Sequence, residues 1–117
     1  MAVIPADLPP AIICEAPRAI DGDTLACANL PRNVRLAGID APELHRCRRG
    51  RVCTPGDGRR AAAALAALLR AGPVRLQLMG EGGFGRHLAV AWVGRVNVNC
   101  AMVARGQAVR RYRRISC

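Results

Sequence analysis

Across residues 74–78, Val74, Leu76 and Leu78 alternate with Arg75 and Gln77. A period of two predicts a half-buried strand with the aliphatic side chains inward and Arg75 and Gln77 outward. Residues 86–93, "RHLAVAWV", continue the theme, with Leu88, Val90 and Trp92 expected on one side; "GEGGFG" between the two runs reads as a turn. By contrast, "GRRAAAALAALLRAG" places Leu65, Leu68 and Leu69 at helical spacing, with Asp57 as N-cap and Gly72 and Pro73 as the stop. A second, shorter helix is expected in "VNCAMVARG", with Asn97 as its cap, Met102 in the core and Gly106 at its end. Upstream, "AIICEAPRAI" predicts a strand that Pro17 interrupts, hence an edge or bulged one. "DGDT" then predicts a tight hairpin turn in which Gly22 accepts positive φ, and "TLACANL" returns as the partner strand. "NVRLAGI" is a third strand, with Gly38 a bulge or a point of close approach.

Five strands, a helix after the third and another after the fifth predict a mainly β fold with some α structure. The expected architecture is a five-stranded OB-type β-barrel with two short helices packed on it. Residues 1–10, with Pro5, Pro9 and Pro10, read as an irregular leader, and residues 11–117 as one domain. At 117 residues there is room for a single modest core. Half the chain is apolar but only 3% is aromatic, so Ala and small aliphatic side chains must fill that core.

Charge adds a partner. The formal net charge is +10, and all 18 basic residues are Arg, whose planar fork matches a phosphate in bidentate fashion. Such an excess favours a polyanion, while a merely solubilising surface is the plainer alternative. No stretch is long enough to cross a membrane, and "MAVIPADLPP" has neither the basic nor the apolar region of a signal peptide.

Six cysteines make an even count, which points to disulfides and an oxidising compartment. Five residues separate Cys47 from Cys53 and no His pair stands at ligand spacing, so zinc is the weaker reading; free buried thiols are the other. Six cysteines allow fifteen pairings, and sequence proximity selects Cys14 with Cys27, Cys47 with Cys53, and Cys100 with Cys117. If they pair, the protein is expected to be exported, periplasmic or secreted, with its export signal outside this sequence. A monomer is expected.

Asp21, Asp23, Asp40 and Glu43 make up half of the eight acidic residues and cluster at two strand edges of a basic protein. Oxygen-only donors suit a hard cation, Ca²⁺ or Mg²⁺. Alone, Asp21 and Asp23 could be simple turn residues. Strict alternation also puts Arg35 and Asp40 on opposite faces of their strand, so a site using both needs strong twist or a bulge, which Gly38 can supply.

"IDGDTL" (20–25), "VRLAGIDAPE" (34–43), "FGR" (84–86) and "VNCAMVARGQA" (98–108), in this order, resemble the thermonuclease family of staphylococcal-nuclease-like domains. The resemblance runs from about Ile12 to Tyr112. It implies an OB-fold barrel that hydrolyses DNA or RNA phosphodiesters with Ca²⁺. Carried over position by position, it makes Asp23 and Asp40 calcium ligands through their carboxylates and Ala41 one through its backbone carbonyl. Glu43 becomes the general base, Arg35 and Arg86 the phosphate-binding arginines, Asp21 a supporting carboxylate and Tyr112 a substrate contact. "GGF" before Gly85 and Arg86 departs from the charged residues and tyrosine usual there.

The loop "CRRGRVC" could track a nucleic-acid backbone or simply be a solvated disulfide loop. His45 and His87 read as incidental, and Phe84 and Trp92 as core or barrel-rim packing. Two functions follow: a metal-dependent nuclease, or a catalytically silent OB module that binds nucleic acid or protein. The presence of all five of Asp23, Asp40, Glu43, Arg35 and Arg86 favours the nuclease.

Overall fold

The computed structural model describes residues 11–117, so the expected leader over residues 1–10 lies outside the described residues. The fold is mostly β with two helices. Its strands are β1 (Ile12–Cys14), β2 (Arg18–Ala19), β3 (Thr24–Ala26), β4 (Val34–Leu36), β5 (Ile39–Asp40), β6 (Val74–Glu81), β7 (His87–Val93), β8 (Val96–Asn97) and β9 (Val109–Arg110). Helix α1 (Gly58–Leu69) lies between β5 and β6, and α2 (Val98–Ala104) between β8 and β9.

The five strands expected from the sequence are all present, several of them broken into shorter pieces. The main sheet runs β1-β6-β7-β4-β3-β2, with β8 beside β7, and every pair is antiparallel except β4 with β7. Its two ends, β1 and β2, are consecutive in the chain. The stretch that Pro17 was expected to interrupt is thus split at Glu15–Pro17, with Ala16 at φ 47°. Its first half pairs with β6 and its second with β3, so one broken strand curls the sheet toward closure, as an OB-type barrel requires. The Cys14–Cys27 disulfide spans this break to the end of β3.

Both helices start where their caps require. The Asp57 side chain accepts from the Arg59 and Arg60 backbone N–H groups, and Asn97 accepts from Cys100 N–H. Leu65, Leu68 and Leu69 of α1 are buried, as is Met102 of α2. They close over a core built from Leu25, Val34, Leu36, Ile39 and Leu76. Cys100–Cys117 ties the tail back to α2.

On β7, Leu88, Val90 and Trp92 share a side as expected, Trp92 buried and Leu88 and Val90 half-buried, while Ala89 and Ala91 on the other side are fully buried. One inward-outward assignment changes. On β6, Gln77 is buried because its Oε1 accepts from Trp92 Nε1–H at 2.9 Å.

Gly22 also has a different reason from the expected one. It does not take positive φ, and the β2–β3 connection spans Ile20–Asp23 rather than a two-residue turn. A Cβ on Gly22 would meet the Ala41 and Ala61 Cβ atoms at 2.7 Å. The glycine lets the acidic hairpin press directly onto the segment after β5 and onto α1. Gly38 takes φ +75° in a turn that separates β4 from β5, and β5 then pairs with β9.

Candidate active site

The turn at Ala37–Gly38 answers the alternation problem. By breaking the strand it allows Arg35 on β4 and Asp40 on β5 to converge: Arg35 Nη2 lies 3.1 Å from Asp40 Oδ1 and 3.5 Å from Asp23 Oδ2. One guanidinium nitrogen therefore joins the hairpin carboxylate to the strand-end carboxylate. Arg35 is itself only 7% exposed and also donates from Nη1 to the Leu36 carbonyl, which fixes its plane.

Asp23 is held from several sides. Its Oδ2 accepts from Ala41 N–H at 2.9 Å, its Oδ1 from the Thr24 hydroxyl, and its own N–H donates to Asp21 Oδ1. Asp21 thus acts as a turn residue and a support for Asp23 at once. Burial pushes the Asp23 carboxyl up to about 6, against the pull of Arg35 and with a further push from Asp21.

Asp40 is fully buried and accepts four hydrogen bonds. Oδ1 takes Arg35 and Arg51 (3.2 Å); Oδ2 takes the Thr54 hydroxyl (2.6 Å) and Arg111 (3.2 Å). Glu43, two residues past Ala41 and half-buried, pairs with Arg51 at 3.1 Å. Burial pulls the Arg51 guanidinium down, but Glu43 and Asp40 more than offset this and raise its pKa.

Beside the carboxylates opens a cleft of about 410 Å³ lined by Arg35, Arg48, Arg51 and Arg86 together with Phe84 and Tyr112. Arg35 and Arg51 belong to both places, since each lines the cleft and pairs with Asp40. Arg86 is oriented by its Nε–H, which donates to the Gly83 carbonyl at 2.7 Å. Burial first, then the Arg35 charge, lowers the Arg86 pKa, a sign of crowded positive potential.

Phe84 is 81% exposed, a correction to its reading as packing: at φ 62° it projects from the Gly83–Gly85 turn, between Arg48 at 5.3 Å and Arg86 at 5.5 Å. Tyr112 is 70% exposed and stands 5.8 Å from Arg35 and 5.7 Å from Arg111. His45 is exposed and His87 half-buried; neither belongs to this group of side chains.

The expected site residues divide accordingly. Asp21, Asp23, Arg35, Asp40 and Ala41 are joined by direct hydrogen bonds or ion pairs, and Glu43 is linked to them through Arg51. Arg86 and Tyr112 stand with Arg35 around the cleft. Sequence reasoning missed Arg51, Thr54, Arg111 and Asn99. Asn99 is fully buried on α2, where it donates to the Ala37 and Ala89 carbonyls and accepts from Ala91 N–H, pinning the turn that precedes Asp40. Its one signal is an amide inside an apolar helical run.

For a hard cation, the donor set is right in kind: two carboxylates that share one Arg35 nitrogen, and the backbone of Ala41 tied to Asp23. Asp23 is also buried, with Arg35 3.5 Å away as its counter-charge, and burial raises its pKa. Among the described residues, however, no three His, Cys, Asp or Glu side chains are gathered as a ready metal cluster, and guanidinium groups take the Asp40 oxygens.

Three disulfides are present, Cys14–Cys27, Cys47–Cys53 and Cys100–Cys117, which is consistent with an oxidising environment. No helix among the described residues is long and apolar enough to cross a membrane.

Residues 33–116 match the family described as staphylococcal nuclease homologue. The matched span includes Arg35, Asp40, Ala41, Glu43, Arg86 and Tyr112, while Asp21 and Asp23 precede it. The chain is also similar to a Haemophilus influenzae protein named as an uncharacterized endonuclease, 35% identical over 98 residues. Those residues cover 81% of this chain and 50% of that protein, so the chain spans half the length of this relative. With the family match extending over most of its length and its fold agreeing, the chain belongs to the staphylococcal nuclease homologue family.

Proposed function

We propose that this chain hydrolyses phosphodiester bonds of DNA or RNA with Ca²⁺ as its metal. The observation that supports this best is the double role of Arg35, which binds both Asp23 and Asp40 and lines the arginine cleft next to them. A phosphate in that cleft meets charge and forked donors on one side and carboxylates on the other.

Asp23, Asp40 and the Ala41 carbonyl would hold the cation, which when bound supplies Lewis-acid polarisation of a phosphate oxygen. The remaining roles belong to the chain. Glu43, with one face open to water, orients the attacking water and accepts its proton, an effect of about 10²- to 10⁴-fold. Arg35 and Arg86 hold the equatorial oxygens and meet the charge that grows on them in the transition state. The exposed side chains of Phe84 and Tyr112, each flanked by two arginines, line the cleft where the bases next to that phosphate would lie, a geometry open to unpaired strands.

The test is incubation with labelled single-stranded DNA in Ca²⁺, in Mg²⁺ and in excess chelator. Cleavage in Ca²⁺, little in Mg²⁺ and none in chelator is expected. Undiminished cleavage after exhaustive chelation would overturn the metal assignment. Tight binding without cleavage in any condition would instead identify a silent binding module.

A further inference from the structure

Arg51 holds a position that the family resemblance does not assign. It comes from the loop closed by Cys47–Cys53, and its fork spans two carboxylates: Nη2 is 3.2 Å from Asp40 Oδ1 and Nη1 is 3.1 Å from Glu43 Oε1. A carboxylate has about four acceptor directions. Arg35, Arg51, Arg111 and Thr54 use four on Asp40, so a further ligand must displace one of them.

The four are not equally free to go. Arg35 has a side chain 8% exposed and is also held by Asp23 and the Leu36 carbonyl. Thr54 is buried and neutral. Arg111 is anchored a second time, on the Val52 carbonyl at 3.1 Å. Arg51 has the most exposed side chain of the three arginines, at 37%, and already lines the cleft in which a phosphate would sit. It can move from the carboxylates to an anion without leaving the site.

Resting on the nuclease reading above, we propose that Arg51 is an internal counter-cation for Asp40 and Glu43. It occupies the place between them that a divalent cation and the attacking water require, and it is drawn off by the phosphate of an incoming strand. Metal and nucleic acid then bind cooperatively, because each is favoured by the same displacement of one side chain. The basic loop that carries Arg51 is thereby part of the site's loading and not only a charged surface. Arg46, just before this loop, is exposed, lies outside the cleft and pairs with neither carboxylate, which makes it the natural control.

The experiment is calorimetric titration of Ca²⁺ into the full chain, its disulfides intact, as wild type, Arg51→Ala and Arg46→Ala. Each protein is titrated alone and again with a phosphorothioate-linked thymidine tetranucleotide. Arg51→Ala should bind Ca²⁺ on the order of tenfold more tightly than wild type in the absence of the nucleotide. The nucleotide should tighten Ca²⁺ binding in wild type and much less in Arg51→Ala. Arg46→Ala removes the same charge and should stay within about threefold of wild type, since screened charge acts weakly at a distance.

If Arg51→Ala does not melt cooperatively, Arg51→Met, which keeps the aliphatic stem, takes its place. Measurable Ca²⁺ binding that is no tighter in the Arg51 variant, or equally tighter in Arg46→Ala, overturns the proposal and leaves the nuclease reading standing. Absence of Ca²⁺ binding in every protein, with or without the nucleotide, overturns both.

Discussion

Replacing Asp40 by Asn removes the charge on which three guanidinium groups converge, and the structure allows the cost to be apportioned. Arg35 suffers most. With a side chain 8% exposed, it keeps only Asp23 at 3.5 Å as a counter-charge. Leaving one member of a buried ion pair uncompensated costs about 3 to 5 kcal/mol. Arg51 and Arg111, with side chains 37% and 31% exposed, regain water and keep Glu43 and the Val52 carbonyl respectively. Solvent screening limits their share to about 0.5 kcal/mol each. Asn retains one carbonyl acceptor for Arg35, which returns roughly 1 kcal/mol.

These terms leave about 3 to 5 kcal/mol, and because Asp23 still partly compensates Arg35 the expected loss is at the lower end, about 3 kcal/mol, out of a total that for a domain is roughly 5 to 15 kcal/mol. The corresponding drop in Tm is roughly 10 to 15 °C for a chain of this size. Urea unfolding in non-reducing buffer with a chelator present measures it without contribution from a bound cation. Thr54→Val, which removes one neutral donor to the same carboxylate, should cost only about 1 to 2 kcal/mol. An Asp40→Asn protein within about 1 kcal/mol of wild type would refute the reasoning, because it would mean that Arg35 does not depend on Asp40 for its burial.

Asn99→Ala should cost about 2 to 4 kcal/mol in the same urea assay, since it leaves the Ala37 carbonyl and the Ala91 N–H short of a buried partner, while the Ala89 carbonyl still accepts from Ala37 N–H; a loss below about 1 kcal/mol would show that water replaces the amide. Asp23 gives an inverted pH dependence. Its folded pKa of about 6 lies above the ordinary 3.8, so the native state holds the proton more tightly than the unfolded chain. In chelator, wild type should therefore gain stability relative to Asp23→Asn as the pH falls from about 6 to 4, by an amount on the order of 2 kcal/mol. Parallel pH profiles for the two proteins would contradict that account of the carboxyl's surroundings. Arg86→Ala should lower kcat/KM by a factor equivalent to several kcal/mol, measured on single-stranded DNA, while the Tm stays close to that of wild type.

How far the sequence carries depends on the range over which each feature is decided. The helices were legible because Asp57 and Asn97 cap them within three residues and Leu65, Leu68 and Leu69 repeat at the helical period. The site carboxylates stood out because acid is scarce in this chain. Arg51 did not, being one of four arginines in a single short loop with nothing local to distinguish it. Its contact with Asp40 joins residues 11 apart, and those of Thr54 and Arg111 with the same carboxylate join residues 14 and 71 apart. Such convergence is a product of the closed fold and has no period to read.

Gly22 shows the reverse case. Its place in a turn is visible in the sequence, but the need for glycine there comes from the crowding of Ala41 and Ala61, which belong to later parts of the chain. Gln77 was assigned to solvent by its place in an alternating strand and is buried because Trp92, across the sheet, supplies a donor. The two-residue strands β5 and β9 are too short for any pattern, yet their pairing sets the height of Asp40.

In the proposed reaction Glu43 is the group that activates water in a site assembled for phosphate. The most direct measurement is the single-turnover cleavage rate of a labelled single-stranded DNA in saturating Ca²⁺, for wild type and Glu43→Gln, with the Kd of each for a phosphorothioate version of the same strand. With Glu43 in that role, Glu43→Gln should lower the rate by about 10²- to 10⁴-fold with a Kd changed by less than about threefold. Equal rates, or a loss of rate matched by an equal loss of binding, would contradict it.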